Sequence, residues 1–269
     1  MLKVLLISIG NELLSGKTIN TNASYLAKNL TNSGFTIKKI ITIPDDPEIV
    51  PDEISRAIST ADYRLILLTG GLGPTWDDST AIYLAKALDV ATELNHEALS
   101  IVTKRYQDLF DNNLVETADI TSAREKMAIL PVGAEPIDNP IGTAPGIFFN
   151  HENSNTLIFC LPGVPREMEQ MFQIIKPKIV DLIKEKHPCY YEIEWTTSFT
   201  DESLLAPFLT QVREKFDVWI KSLPEEYQKE KNIQLIISKS SDSEKDTKKE
   251  VLAAKAYLQK ILDSSRNTQ

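Results

Sequence analysis

The chain has 269 residues, of which 42% are hydrophobic and 25% are charged, and its formal net charge is −9. This composition is typical of a globular protein of one or two domains, and the acidic balance disfavours a general nucleic-acid binder. No apolar run is long enough to cross a bilayer, and two cysteines are too few for a disulfide framework. We therefore expect a cytoplasmic protein with neither membrane nor nucleic-acid partners.

The first eighty residues predict three alternations of strand and helix. Apolar runs at 2–9, 35–43 and 63–69 predict buried strands. Helical spacing of apolar residues follows the capping sequence Asn20-Thr21-Asn22 and recurs from Val50 to Ala61. This alternation predicts a parallel sheet with helices on both faces and right-handed crossovers.

Two glycine-rich loops are expected to meet at one edge of this sheet. Residues 10–16 follow the first strand and residues 70–78 follow the third. Ligands of such sheets bind outside the carboxyl ends of the strands, so both loops should face one crevice. Asp45 and Asp46 follow the second strand at the same edge. They could join a metal cluster, but a turn between Pro44 and Pro47 is the simpler interpretation.

The central motif joins a buried strand to a helix through glycines. Leu65–Leu68 ends in Gly70, Gly71 and Gly73, then Pro74, Asp77 and Asp78 precede a helical pattern. Glycines let a backbone turn tightly and approach a ligand, and the N-terminus of a helix attracts anions. The motif therefore predicts a phosphate-binding site; a tight turn before a helix capped by Asp77, Asp78 or Ser79 is the simpler alternative.

The remainder of the chain divides near His187-Pro188. Helices are predicted at 81–88, 97–110 and 117–126, with a short strand at 127–130 and an irregular Pro/Gly-rich segment at 135–146. Strands at 146–149 and 156–160 precede a long helix that ends near Lys186. Beyond Cys189, strands at 190–197, 218–222 and 233–238 alternate with helices at 202–215 and 245–262. We predict one domain at 1–187, a small α+β domain at 188–264 and a disordered tail at 265–269.

The carboxylates of the two loops are the candidates for catalysis. Asp77 and Asp78 could bind a divalent cation, because Mg²⁺ uses one or two carboxylates together with phosphate oxygens of the substrate. Alternatively, one caps the helix and the other is solvated. Glu12 could act as a general base or metal ligand, or it could be a surface acid of its loop.

Other polar residues and glycines of these motifs are candidates for binding substrate. Asn20 and Asn22 also have a sufficient role as helix caps. Arg166 could clamp a phosphate, since its planar fork matches phosphate oxygens, or pair with Glu167 or Glu169. The predicted substrate-binding residues are Gly10, Asn11, Asn20, Asn22, Thr69, Gly70, Gly71, Gly73, Pro74, Thr75, Thr80, Asn139, Gly142, Thr143 and Arg166.

Four motifs in this order resemble the N-terminal domain of CinA, the competence/damage-inducible protein family. They are Gly10-Asn11-Glu12-Leu13-Leu14-Ser15-Gly16 with Asn20-Thr21-Asn22, then Thr69-Gly70-Gly71-Leu72-Gly73-Pro74-Thr75-x-Asp77-Asp78, Asn139-Pro140-x-Gly142-Thr143-Ala144-Pro145-Gly146, and Leu161-Pro162-Gly163-Val164-Pro165-x-Glu167-Met168. The resemblance implies a MoaB/Mog-type fold and a KH-like second domain. It also implies a pyrophosphatase that needs Mg²⁺, Mn²⁺ or Co²⁺ and converts ADP-ribose to AMP and ribose 5-phosphate.

The same resemblance sets further expectations and leaves alternatives open. Oligomers are common for this fold, so we expect a dimer or trimer. We expect no deamidation of nicotinamide mononucleotide, because the sequence has no room for the C-terminal domain that carries this activity in many CinA proteins. The shared fold also allows a molybdopterin-binding protein of molybdenum-cofactor biosynthesis or a non-catalytic nucleotide sensor. The second domain lacks the Gly-x-x-Gly loop of an RNA-binding KH module, and Lys221, Lys229 and Lys231 lie among acids.

Overall fold

The computed structural model describes residues 2–182, 189–223 and 232–266. The chain divides into two compact units, the larger N-terminal and the smaller C-terminal. The predicted boundary at His187-Pro188 and the lysines Lys229 and Lys231 lie outside the described residues. Within the described part, no helix combines the length and the apolar character needed to span a bilayer.

The larger unit is built on a six-stranded, mostly parallel sheet. Its strand order is β2-β1-β3-β8-β7-β6. The first four strands in this order run parallel, and β7 pairs antiparallel with both of its neighbours, β8 and β6. This mostly parallel sheet confirms the predicted α/β class. The strands are β1 Lys3–Ile9, β2 Thr36–Ile43, β3 Leu65–Thr69, β6 Glu135–Ile137, β7 Gly146–His151 and β8 Thr156–Leu161; a separate antiparallel pair joins β4 Thr92–Leu94 to β5 Ile129–Pro131.

Helices cover both faces of this sheet because its strands are apolar on both sides. In β3, Ile66 and Leu68 pack into one core cluster, while Leu65 and Leu67 pack into the cluster on the opposite face. Helices α2 and α7 bury side chains in the second cluster, and α3, α4 and α5 bury theirs in the first. The helices are α1 Asn11–Leu14, α2 Thr21–Thr31, α3 Ile49–Ser59, α4 Thr80–Leu88, α5 His96–Asp111, α6 Ser122–Lys126 and α7 Pro165–Leu182.

Three sequence predictions for the larger unit were wrong in detail. The loop at 10–16 contains the single helical turn α1, and the irregular segment at 135–146 begins with β6. The helix predicted at 117–126 begins only at Ser122. Arg124 donates hydrogen bonds to the carbonyls of Thr117 and Asp119 at 2.8 Å each, which ties this non-helical stretch to the helix, and Thr121 caps the helix.

The smaller unit is a three-stranded antiparallel sheet with helices on one face. Its strand order is β10-β11-β9, and its core contains Leu205, Leu235, Ile237 and Val251. The elements are β9 Cys189–Thr196, α8 Glu202–Lys215, β10 Trp219–Leu223, β11 Gln234–Ser241 and α9 Glu244–Arg266. Because α9 continues to Arg266, the predicted tail is wrong for residues 265 and 266, while 267–269 lie outside the described residues.

Candidate functional site

The candidate site is a crevice at the carboxyl ends of the parallel strands. The chain leaves β1 towards β2 on one side and, through α3, reaches β3 on the other, so the strand order reverses between β1 and β3. Ligands of open α/β sheets bind at such a switch point. The crevice has a volume of about 490 Å³. As predicted, the loops after β1 and β3 share its wall, which also includes Asp45 after β2 and Pro162 and Gly163 after β8.

The glycine turn of the central loop has a fixed backbone. Gly70 and Gly71 have φ angles of +108° and +69°, a region that L side chains rarely adopt. The buried hydroxyl of Thr80 donates to the Gly70 carbonyl at 2.8 Å, and the Thr80 N–H donates to the Gly71 carbonyl at 3.0 Å. The Gly70 N–H donates to Leu161 at 3.0 Å and is therefore used by the fold. An anion cradle in this loop must accordingly use the amides that follow Gly70.

Asp77 and Asp78 are held by Thr75 and do not cap the helix. The Thr75 N–H donates to the Asp78 carboxylate at 3.0 Å, and the Thr75 hydroxyl lies 2.5 Å from an oxygen of each carboxylate. Ser79 occupies the N-cap position of α4, and its side chain makes no capping hydrogen bond. The alternative in which Asp77 or Asp78 caps the helix is therefore wrong. The bond from Thr75 lowers the pKa of Asp77, which favours its charged form.

Asp45 is a crevice residue that the sequence interpretation had placed in a simple turn. One of its carboxylate oxygens is buried without a hydrogen-bond partner. Burial raises the pKa of Asp45, a hydrogen bond from Tyr83 opposes the shift, and the negative charges of Asp77, Asp78 and Glu12 add to it. The carboxylates of Asp77, Asp78 and Glu12 therefore lie close enough to Asp45 to disfavour its charged form. None of the described residues that line the crevice is basic.

The loop after β1 contributes Gly10 and Glu12 to the wall. Glu12 is in the single turn α1, is exposed, and faces a crevice shared with Asp45, Asp77 and Asp78. A Cβ added to Gly10 would lie 2.8 Å from the Glu12 carboxyl carbon, so the small residue leaves room for this carboxylate. Asn11 is exposed and does not line the crevice.

The opposite wall is held in shape by a buried asparagine. Asn139 is fully buried and donates to the Ala144 carbonyl at 3.0 Å and to the Glu167 carboxylate at 2.8 Å. Its side-chain oxygen accepts from the Gly142 N–H at 2.8 Å. These bonds tie the loop containing Thr143 to the first turn of α7, and Thr143, Ala144 and Glu167 face the crevice. Asn139 therefore shapes the wall without lining it.

Several other predicted residues likewise support the wall from behind. Asn20 caps α2 by accepting from the Ala23 N–H at 3.1 Å, and Asn22 donates to the Gly163 carbonyl at 2.8 Å. Thr69 ends β3 and is buried.

Arg166 is exposed and outside the wall, so the predicted phosphate clamp is not at the crevice. The predicted residues that line it are Gly10, Glu12, Gly70, Gly71, Gly73, Pro74, Asp77, Asp78 and Thr143.

Sequence reasoning missed Glu167 and Lys126, and it kept Asp45 only as the less simple of two interpretations. Asp45 had a usable signal, because it follows β2 at the same sheet edge. Glu167 lies in one of the four motifs. Lys126 had no such signal: its ammonium group reaches the Thr75 carbonyl from α6 and lines a small apolar cavity of about 40 Å³ behind Asp78.

The carboxylates of the described residues do not form a metal site by themselves. Among residues 2–182, 189–223 and 232–266, no three or more His, Cys, Asp or Glu side chains are grouped closely enough to hold a metal ion. Mg²⁺ commonly binds through one or two carboxylates and substrate phosphates instead. Several carboxylates in a wall without a basic residue, one with a buried, unpartnered oxygen, match that mode of binding.

Comparisons with known proteins identify a family whose matched segment contains the crevice. The model of a family described as "Probable molybdopterin binding domain" matches residues 5–181, which include every crevice residue. A protein of Saccharolobus solfataricus is 38% identical over 254 residues, 94% of this chain and 89% of the relative. A protein of Sulfurisphaera tokodaii is 38% identical over 258 residues, 95% of this chain and 93% of the relative. The crystal structure of a CinA protein with unknown function from Thermoplasma acidophilum is 33% identical, with a TM-score of 0.59, and covers 66% of this chain and 97% of its own.

Proposed function

Because the chain belongs to the family of probable molybdopterin-binding domains and is CinA-like within it, we propose that its crevice binds a phosphorylated, nucleotide-like molecule and hydrolyses its diphosphate. ADP-ribose is the substrate that we propose, with AMP and ribose 5-phosphate as products. One observation carries the proposal: the wall of a single crevice combines a glycine turn with five carboxylates, and its described residues include no basic side chain.

The glycine turn would bind the diphosphate. Its amides after Gly70, those of Gly71, Leu72 and Gly73, lie in the wall close to the N-terminus of α4. Backbone N–H groups and a helix N-terminus stabilise negative charge, including the charge that develops during phosphoryl transfer. A divalent cation bound with the substrate would supply positive charge against the diphosphate.

The carboxylates of the chain would position the cation and manage the proton. Asp77 and Asp78 would contact the cation, and Thr75 already holds both in place. Glu12, across the crevice, would take a proton from the attacking water as a general base. The water oxygen forms a bond to one phosphorus, and the bond from that phosphorus to the bridging oxygen breaks. The departing phosphate leaves with the electron pair.

A hydrolysis assay tests the proposal. The purified protein is incubated with ADP-ribose and Mg²⁺, Mn²⁺ or Co²⁺, and AMP is measured with and without EDTA. We expect AMP only with metal, and at least a hundredfold slower release from Asp77→Asn and Asp78→Asn. Asp46→Asn is the matched control, because Asp46 bonds the N–H groups of Glu48 and Ile49 and does not line the crevice. Undiminished release by both crevice variants would refute the assignment.

Molybdopterin binding is the second candidate, and the description of the family favours it directly. The matched segment contains the whole crevice, and a pterin phosphate would use the same glycine turn. Its test is the small molecule that the protein retains on purification. A tightly held pterin, together with no AMP release under any metal, would favour binding over hydrolysis.

A further inference from the structure

The crevice offers a phosphorylated ligand no aromatic surface in its described wall. The lining residues are glycines, carboxylates, prolines, threonines and small aliphatic side chains. A nucleotide or a pterin carries a planar heterocycle as well as phosphate, and such rings are commonly stacked on aromatic or guanidinium planes. The nearest candidate along the chain is Trp76, which lies between Thr75 and Asp77 in the central loop.

Trp76 does not itself line the crevice, but it lies in the chain between Pro74 and Asp77, which do. Its side chain is 90% exposed. Exposing so large an apolar ring forgoes the favourable burial that tryptophan normally contributes to a fold. Asp77, the next residue, lines the crevice together with Pro74. The ring is therefore carried by the same few residues that form the wall.

The support of this ring is fixed. Thr75 bonds both carboxylates, the Asp78 N–H donates to the Thr75 carbonyl at 3.1 Å, and Lys126 reaches the same carbonyl from α6. A ring on such a turn loses little backbone entropy when a ligand binds. A highly exposed ring on a fixed support, next in the chain to a residue of the crevice wall, is an arrangement suited to binding a planar ligand.

We propose that Trp76 binds the heterocycle of the ligand by stacking, while the phosphates lie in the crevice. This inference rests on the proposed binding of a phosphorylated ligand, and it adds the class of molecule that is selected: one with a planar ring system next to the phosphate. Adenine and pterin share this chemistry. Ribose 5-phosphate has the phosphate and lacks the ring.

Tryptophan fluorescence and calorimetry test the proposal. The chain has three tryptophans, Trp76, Trp195 and Trp219. AMP, a pterin monophosphate and ribose 5-phosphate are titrated in turn into the full-length protein with Mg²⁺. We expect quenching by a ring-bearing ligand and none by ribose 5-phosphate. Trp76→Phe should lose the quenching, and Trp219→Phe, which alters an exposed tryptophan of the smaller unit, should retain it.

Affinities from calorimetry separate stacking from a mere fluorescence effect. Trp76→Phe keeps an aromatic face and should bind within about threefold of wild type, whereas Trp76→Ala should bind about tenfold more weakly. The ligand that binds more tightly, AMP or the pterin monophosphate, identifies the heterocycle that the site prefers. Wild-type affinity of Trp76→Ala for both ring-bearing ligands would overturn the proposal, as would equal binding of ribose 5-phosphate or no binding of any ring-bearing ligand. A changed oligomeric mass of Trp76→Ala with unchanged affinity would instead assign the ring to a contact between copies.

The outcomes also distinguish this inference from the hydrolytic function. Quenching by AMP without AMP release from ADP-ribose would refute hydrolysis and leave the stacking role in place. Release of AMP with the same kcat/KM in wild type and Trp76→Ala would refute the stacking role and leave hydrolysis in place.

Discussion

Two glycine turns face the same crevice, yet they are built differently. The first, residues 10–16, follows β1, and the second, residues 70–80, follows β3. Each places a glycine in nearly the same left-handed conformation: φ is +70° at Gly16 and +69° at Gly71. Around Gly16 a Cβ would meet nothing within 4 Å, whereas at Gly71 it would collide with the Thr80 hydroxyl.

The surroundings explain this difference. The Gly10 N–H of the first turn donates to Ile43 of β2 at 3.1 Å, but the rest of this turn is held by local bonds, such as Gly16 N–H to Leu13 at 3.2 Å. Its side chains are mostly exposed. The central turn is bonded to other elements: Gly70 to Leu161 of β8, and Thr75 to Lys126 of α6. A turn that neighbouring elements hold is organised before a ligand arrives, and a solvent-exposed turn can adjust to it. We therefore expect the central turn to bind the ligand in a fixed conformation and the first turn to adjust its side chains to the ligand.

The largest expected effect separates the two glycines. Gly16→Ala should lower the free energy of unfolding by about 1–2 kcal/mol, the strain of a left-handed L-residue. Gly71→Ala has the same strain and a further overpacking penalty of about 1–3 kcal/mol, because the new methyl group displaces Thr80. Urea denaturation measures both. Gly71→Ala should also abolish ligand binding, while Gly16→Ala keeps it; equal losses in the two variants would remove the distinction between the turns.

A smaller effect is expected from the hydroxyl groups of the two turns. Thr80→Val removes the buried bond to the Gly70 carbonyl and should cost about 1–3 kcal/mol of stability. Thr18→Val alters an exposed crevice residue that follows the first turn, and it should cost less than about 0.5 kcal/mol. Thermal unfolding of both variants measures the difference. A Thr80→Val protein as stable as wild type would show that the central turn does not depend on this bond.

The smallest expected effect is on the stability contributed by Asp45, whose carboxyl group is affected by charges from both turns. Its pKa in the folded protein is raised above the ordinary 3.8, first by burial and then by charges from both turns. Wild-type stability should therefore fall as pH rises from about 3.8 through the folded pKa, and the loss should persist at neutral pH. Asp45→Asn should stabilise the protein at pH 7 by less than about 1 kcal/mol, since the carboxyl is only partly buried, with no gain below about pH 3.8.

Asp46→Asn is the control with the opposite sign. Backbone N–H groups of Ile49 and Glu48 lower the pKa of Asp46, so its stabilisation is present at neutral pH and is lost as pH falls through its folded pKa. The variant should thus be less stable than wild type at pH 7, and the difference should disappear in acid. Denaturation curves between pH 3 and 8 compare the two neighbours. Parallel pH profiles for both variants would contradict repulsion at Asp45.

Much of the fold could be predicted because its signals are local. The run Leu65–Leu68 is apolar at every position and became the central, fully buried strand. Alternating strand and helix indicated a parallel sheet, and the carboxyl-edge rule placed the loops after β1 and β3 together. Elements that depend on a distant partner were missed or misplaced: β6 exists because it pairs with β7, and α6 is short because Arg124 holds the preceding turn.

For the site, local patterns were enough to predict which residue types meet at the sheet edge: glycines at 70, 71 and 73, the carboxylates Asp77 and Asp78, and Glu12 from the first loop. These follow from chain order and strand direction, which sequence patterns carry. Long-range contacts of the folded chain were needed to place Asp45 beside them, to exclude Arg166, and to show that Asn139 and Thr80 support the wall from behind. The physical reason is that burial, repulsion between charges and long-range hydrogen bonds depend on distances between segments far apart in the chain, which no local pattern records.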